Sequence, residues 1–126
     1  MRARSLAALA ALAAPAAVGA IDVDPYWLEK IPAEYHGRWN VAAGPCAPFA
    51  GRFRLEVAAK RLTVGRDSFV PQYVRWHEEG GISVVSRYAG PARPWTRVDY
   101  FVLSTDRRTL TDEHARRKIV RRRCAP

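Results

Sequence analysis

The sequence predicts an all-β domain: a small antiparallel up-and-down barrel of seven or eight strands, with a short N-terminal helix and one disulfide. Three features of the chain point there. Past Gly37 the apolar residues recur with a period of two, in short runs separated by turn residues at close spacing. No long helical pattern and no internal repeat interrupts them. Finally, Cys46 follows the first predicted strand and Cys124 ends the last one. The meander alone suits a small barrel or a collapsed sandwich. A terminal strand tied by its last residue to the loop after the first strand selects the barrel, stapled where it closes.

The elements follow in order. Asp24-Pro25 before Tyr26–Lys30 reads as an N-cap and first-turn proline opening a short helix. Ile31-Pro32 restricts the backbone and starts a second single turn over residues 33–36, which Gly37 ends. Residues 38–42 form a strand. In 52–58, Phe53, Leu55 and Val57 alternate with Arg52, Arg54 and Glu56, the mark of a half-buried strand. Strands follow over 61–64, 71–78, 82–89 and 95–104, with turns at Ala59-Lys60, Glu79-Gly80-Gly81 and the Gly90–Pro94 stretch. Thr105–Arg108 then turns into the strand 109–114, and residues 118–124 close the chain.

The first twenty residues place Arg2 and Arg4 before an Ala/Leu-rich run ending in small residues, the order of a secretory signal peptide cut after Ala20. The apolar run is short, Ala-dominated and broken by Pro15, unlike a membrane-spanning helix. The domain boundaries expected are 1–20 signal peptide, 21–36 short helical segment and 37–126 single barrel, in the periplasm or outside the cell. With the signal gone, nineteen basic residues stand against twelve acidic ones. An Ala- and Arg-rich composition weakens basicity as a sign of a nucleic-acid partner, and none is expected. Two cysteines in an exported chain pair with each other. The chain-entropy model assigns roughly 4.5 kcal/mol to closing so long a loop.

The stretch IPAEYHGRW (31–39), the cysteine seven residues after Trp39, LSTDRRTL (103–110) and the closing RRRC together resemble a group of small exported bacterial proteins with a lipocalin-like barrel. Gly37-Arg38-Trp39 also matches the GxW at the start of true lipocalins. The resemblance implies that Trp39 plugs the barrel floor under a late-strand arginine. It carries over no catalytic residue. This chain is markedly shorter than lipocalins, so a roomy ligand cavity is not implied.

On a last strand, Val120, Arg122 and Cys124 share one face, and the apolar pair makes that face the inward one. Arg122 is then the arginine expected over Trp39, with Arg123 or Arg121 taking the role after a one-residue register change. The remaining cations, Arg107, Arg108, Arg116, Arg117, Lys118, Arg121 and Arg123, form a possible surface for an anionic partner; a solubilising, edge-protecting role is the simpler reading and the one preferred. Trp27 is expected to lid one barrel end rather than stay exposed.

Catalytic chemistry is not expected. Ser68, Ser83, Ser86 and Ser104 lack the GxSxG elbow, there is no Gly-rich phosphate loop, and sequence assigns no carboxylate pair to one site. His36, His77 and His114 sit beside turns without metal-ligand spacing, so no metal and no cofactor are expected. The function expected is a non-enzymatic periplasmic or secreted binding protein, monomeric, taking a small apolar ligand or an envelope partner. The alternatives are a proteinaceous inhibitor of a secreted hydrolase and a basic module for anionic envelope polymers or lipid.

Overall fold

The computed structural model describes residues 24–41, 46 and 49–125. The predicted signal segment lies outside them. The described residues form nine strands: β1 (Trp27–Leu28), β2 (Gly37–Asn40), β3 (Leu55–Ala58), β4 (Arg61–Val64), β5 (Asp67–Trp76), β6 (Ile82–Tyr88), β7 (Thr96–Leu103), β8 (Thr109–His114) and β9 (Arg117–Arg123). Sequential neighbours from β2 to β9 pair antiparallel, β9 returns to β2, and β5 joins β6, which closes an eight-strand barrel. Its two-residue appendage β1 pairs with the far half of β5, where the β4–β5 hairpin has ended.

The N-terminal helix expected over Tyr26–Lys30 is absent. Asp24 Oδ1 does accept the Tyr26 N–H at 3.0 Å, as a cap would. The Trp27 N–H, however, turns back to the Asp24 carbonyl, and the Tyr26 carbonyl is taken by the Trp76 N–H at 2.8 Å. With that acceptor claimed by β5, the turn cannot propagate as a helix. The second turn forms as a 3-10 element at Ala33–Tyr35.

The strands otherwise follow the two-residue period, with shifted ends. Residues 51–54 turn instead of extending, closed by Arg54 N–H to the Gly51 carbonyl, so Phe53 is exposed and β3 begins at Leu55. β5 starts four residues before the expected Pro71 and absorbs that proline through a register shift between Pro71 and Tyr73. Inside the barrel, Trp39, Leu55, Leu62, Phe69, Ile82, Val84, Phe101 and Leu110 form a continuous apolar core.

One end of the barrel is closed by the N-terminal segment. Ile31 and Tyr35 are buried there, and the Ile31 N–H is fixed to the Ala59 carbonyl. Trp27 is not the lid: it lies outside on β1, 46 % exposed, edge-on to Tyr73 with centroids 4.2 Å apart. The lid role passes to the two residues after it that face inward. Cys46 and Cys124 are bonded, their Cα atoms 5.1 Å apart. A disulfide is compatible with an extracytoplasmic location. No helix among the described residues is long and apolar enough to cross a membrane.

Candidate functional site

At the closed end, β9 places its arginines in the register opposite to the expected one. Val120 is 51 % exposed and Arg122 is exposed, while Ile119, Arg121 and Arg123 turn inward. Cys124 is buried for a different reason: it sits past the strand end, covered by its bond to Cys46, so its burial says nothing about the barrel interior. The arginine over Trp39 is therefore Arg123, its guanidinium 4.2 Å from the ring centroid. Nη1 donates to His36 O at 2.6 Å, Nη2 to Glu34 O at 2.8 Å and Nε to Arg107 O at 2.8 Å. Every arm of the fork meets a backbone carbonyl. Burial, aided by the charge of Arg107, pushes the Arg123 pKa down from its ordinary value.

Gly37 explains how the fork fits. A Cβ there would lie 2.9 Å from Arg123 Nη1, and the residue has a φ of +131°, which side chains rarely adopt. The Trp39 indole N–H donates to the Tyr35 carbonyl at 3.1 Å, which fixes the ring as a floor.

Above this floor the barrel holds a charge cluster that sequence reasoning missed. Arg97, Asp99, Asp112 and Arg121 are all buried, the last three completely. Arg97 Nε donates to both Asp99 oxygens, at 3.0 and 2.8 Å. Arg121 Nη1 donates to Asp112 Oδ2 at 2.9 Å, and its Nε ties the Phe53 carbonyl at 2.8 Å. Asp112 Oδ1 has no donor among the described residues, nor does the nearby strand partner of Arg97, Ser86, through its Oγ. The Asp112 carboxyl instead meets that of Asp99. Burial first, then the charge and contact of Asp99, push its pKa up to about 7 against the opposing pull of Arg121. Two guanidinium groups flank the carboxyls, and the raised pKa of Asp112 lightens the charge that they must offset inside. His114 stands at its margin, donating from Nδ1 to the Val98 carbonyl at 2.9 Å, with Asp99 Oδ1 3.9 Å away. The pair has no exposed atom for a substrate to reach.

The predicted anionic-partner surface is divided. Arg107 and Arg108 lie in the β7–β8 turn, beside the floor; Arg116, Arg117 and Lys118 lie at the β8–β9 turn. The six residues of β8 between them span about 20 Å at ~3.3 Å per residue. Arg121 and Arg123 face inward and drop out. In their place, the up-and-down order brings other loops to the β8–β9 end: Arg52 before β3, Arg66 between β4 and β5, and Arg93 between β6 and β7, all exposed. Contacts around the rim confirm the gathering. Arg54 Nε donates to Gly65 O at 2.8 Å, the Ala89 N–H to Ser68 O, and Arg121 Nε to Phe53 O. A groove of about 740 Å³ lies on this rim, lined by Arg52, Arg54, Arg66 and Asp67 among others.

Charge is thereby sorted between the ends. At the closed end Lys30, Lys60, Arg61, Arg107, Arg108 and Arg122 stand among Glu29, Glu34, Glu78, Glu79 and Asp106, six cations with five acids. At the loop end Asp67 and Glu113 are the exposed acids among the described residues. The β8–β9 turn is itself unusual, since Ala115 and Arg116 both have positive φ, 48° and 64°, in a two-residue turn that usually takes Asn-Gly. His36 and His77 are engaged elsewhere, His36 donating to Ile31 O and His77 hydrogen-bonded to Ser83 Oγ. No cluster of three or more metal-ligating side chains occurs among the described residues. Comparison with protein-family models, curated proteins and solved structures gives no match, so the functional reading rests on this geometry.

Proposed function

We propose that the chain is a periplasmic or secreted, non-enzymatic binding protein that works from its outer surface on an envelope partner. One observation carries the reading: the barrel interior is occupied by its own side chains. Trp39, Leu55, Leu62, Phe69, Phe101 and Arg121 fill it with at most 1 % exposure each. An eight-strand barrel has an interior that side chains can just fill, and these do. The Trp39–Arg123 stack supports a lipocalin-like floor, but the volume above it that would take an apolar ligand holds the Arg97–Asp112 cluster. The leader-like residues 1–20 and the disulfide support export. The buried position of the two acids supports a non-enzymatic role, because a general acid must reach its substrate.

The test is a pair of measurements on the oxidised protein. An apolar fluorescent probe should show no saturable one-to-one uptake, while envelope components should be retained at low salt and released at high salt. One-to-one uptake abolished by substitution inside the barrel would overturn the surface reading.

A second reading has its own support. The β6–β7 loop exposes Gly90–Pro94, yet both its feet are fixed: Tyr88 N–H to Trp95 O at 2.9 Å and Ala89 N–H to Ser68 O at 2.8 Å. A proline-bearing loop on a rigid base suits insertion into a hydrolase cleft, with little ordering cost on binding. Inhibition of a secreted hydrolase, lost when residues 91–94 are replaced by glycines, would establish it.

A further inference from the structure

Resting on the surface reading above, the geometry points to a specific docking face: the loop end of the barrel seats on an anionic lipid surface, its arginines on the headgroups and Trp95 and Phe53 at the interface. Arg52, Arg66, Arg93, Arg116, Arg117 and Lys118 come from four separate loops and are exposed together at that end. None of the ion pairs found among the described residues includes any of them. Their charge is therefore directed outward. The opposite end, where acids nearly match the cations, offers a much weaker field.

Charge alone would suit any polyanion; the aromatic residues at the same end favour lipid. Trp95 is 43 % exposed and Phe53 38 % exposed. Trp95 is held with its ring edge-on to Phe69 at 5.1 Å and stacked on Tyr88 at 5.9 Å, so half the indole is locked to the barrel and half projects. Phe53 lies under the Arg52 guanidinium at 4.5 Å, and Val41, 46 % exposed, lines a small groove with it beside Lys118. A cation over an aromatic ring at Arg52 and Phe53, with the half-exposed Trp95 indole on a second loop of the same end, matches the headgroup boundary, where amphipathic rings settle and basic residues meet anionic lipid. A polyphosphate chain, which has no apolar surface, gains nothing from the rings. The positive φ values of Ala115 and Arg116 fit the same picture, because that turn thrusts Arg116 and Arg117 outward on a tight two-residue tip.

The experiment uses protein recovered from the periplasm of an expressing host, its first residue fixed by N-terminal sequencing. It is mixed with phosphatidylcholine vesicles with or without about 30 % phosphatidylglycerol, at about 50 mM and about 300 mM salt. Binding should require phosphatidylglycerol and weaken at least about tenfold at the higher salt. Arg116→Glu/Arg117→Glu should weaken it more than about tenfold, at roughly fivefold or more per cation, while Arg107→Glu/Arg108→Glu at the closed end leaves it within about twofold. Trp95→Ala should remove most of the vesicle-induced blue shift of tryptophan emission. No vesicle binding at low salt, or equal losses from charge reversal at either end, overturns the assignment. Retention of soluble polyphosphate but not of vesicles overturns the lipid partner and leaves the surface reading standing. If neither anion binds and the apolar probe is taken up one-to-one, the surface reading falls with it.

Discussion

Replacing Asp112 with asparagine should flatten the dependence of stability on pH. Asp112 is fully buried, and burial together with Asp99 raises its pKa to about 7 in the folded chain. An unfolded aspartate titrates near ~3.9. Between those values the folded state holds a proton that the unfolded state has released. Stability therefore falls as pH rises through that window and levels off above neutrality. Three pKa units at ~1.4 kcal/mol each set a ceiling of about 4 kcal/mol, and relaxation of a tightly coupled pair will bring the measured figure below it. The other charged groups facing the pair are Arg97 on β7, Arg121 on β9 and His114 on β8. In Asp112→Asn the amide oxygen can still accept from Arg121, while the side chain no longer titrates. Urea unfolding of both proteins at intervals from pH 4 to 8.5 gives the difference, in which contributions of the three histidines cancel. The variant should be close to wild type near pH 5 and should lose at least 1–2 kcal/mol less than wild type between pH 5 and 8, roughly half the ceiling. Parallel pH profiles for the two proteins would refute the raised pKa of Asp112.

The remaining arginines separate cleanly. Arg123→Ala should cost about 2–4 kcal/mol, from three lost carbonyl bonds and the indole stack, against less than about 0.5 kcal/mol for Arg122→Ala, measured by chemical denaturation at pH 7. Gly37→Ala should destabilise by about 1–3 kcal/mol, and the loss should shrink in the Arg123→Ala background, since the new methyl group collides with the guanidinium. Arg121→Met should cost about 3–5 kcal/mol at pH 7, because it strands Asp112 without its donor, with partial recovery in Arg121→Met/Asp112→Leu. Reduction of Cys46–Cys124 should lower stability by up to about 4 kcal/mol while far-UV circular dichroism retains the strand signal.

Strand positions were legible because the period of two survives wherever one face is core, as in Leu55 and Val57 of β3. Which face points inward on β7 and β9 was not. On β7 the buried residues are Arg97, Asp99 and Phe101, and the exposed ones include Val98 and Val102, the reverse of the usual polarity. A pattern rule cannot choose the charged face as the inner one, since each charge is tolerable only beside a partner from another strand. The hairpin did carry a usable signal. Pairing Leu103 with Leu110 across the 104–108 turn sets Phe101 opposite Asp112, and so puts Asp99 and Asp112 on one face as diagonal neighbours. At the chain end, Cys124 misled because a disulfide can bury a side chain outside the barrel as readily as inside. The loop end was illegible for a topological reason: Arg52, Arg66 and Arg93 are far apart in sequence and meet only because alternate connections of an up-and-down barrel share an end.

The closing seam governs the order in which this barrel can assemble. Successive hairpins from β3 to β9 join residues close in the chain, but β2 meets β9 through only two register pairs, Trp39 with Arg123 and Asn40 with Arg122. Those pairs span more than eighty residues, so they carry the largest loop-closure entropy and the least ladder to offset it. Circularisation is then the late, rate-limiting event, and the seam is the first place to reopen. Amide exchange at Trp39 and Asn40 should outpace that at Val84 and Phe101 in the reduced protein. Oxidation acts after closure, as a ratchet: it converts a contact that forms briefly and often into one that unzips only with the whole sheet.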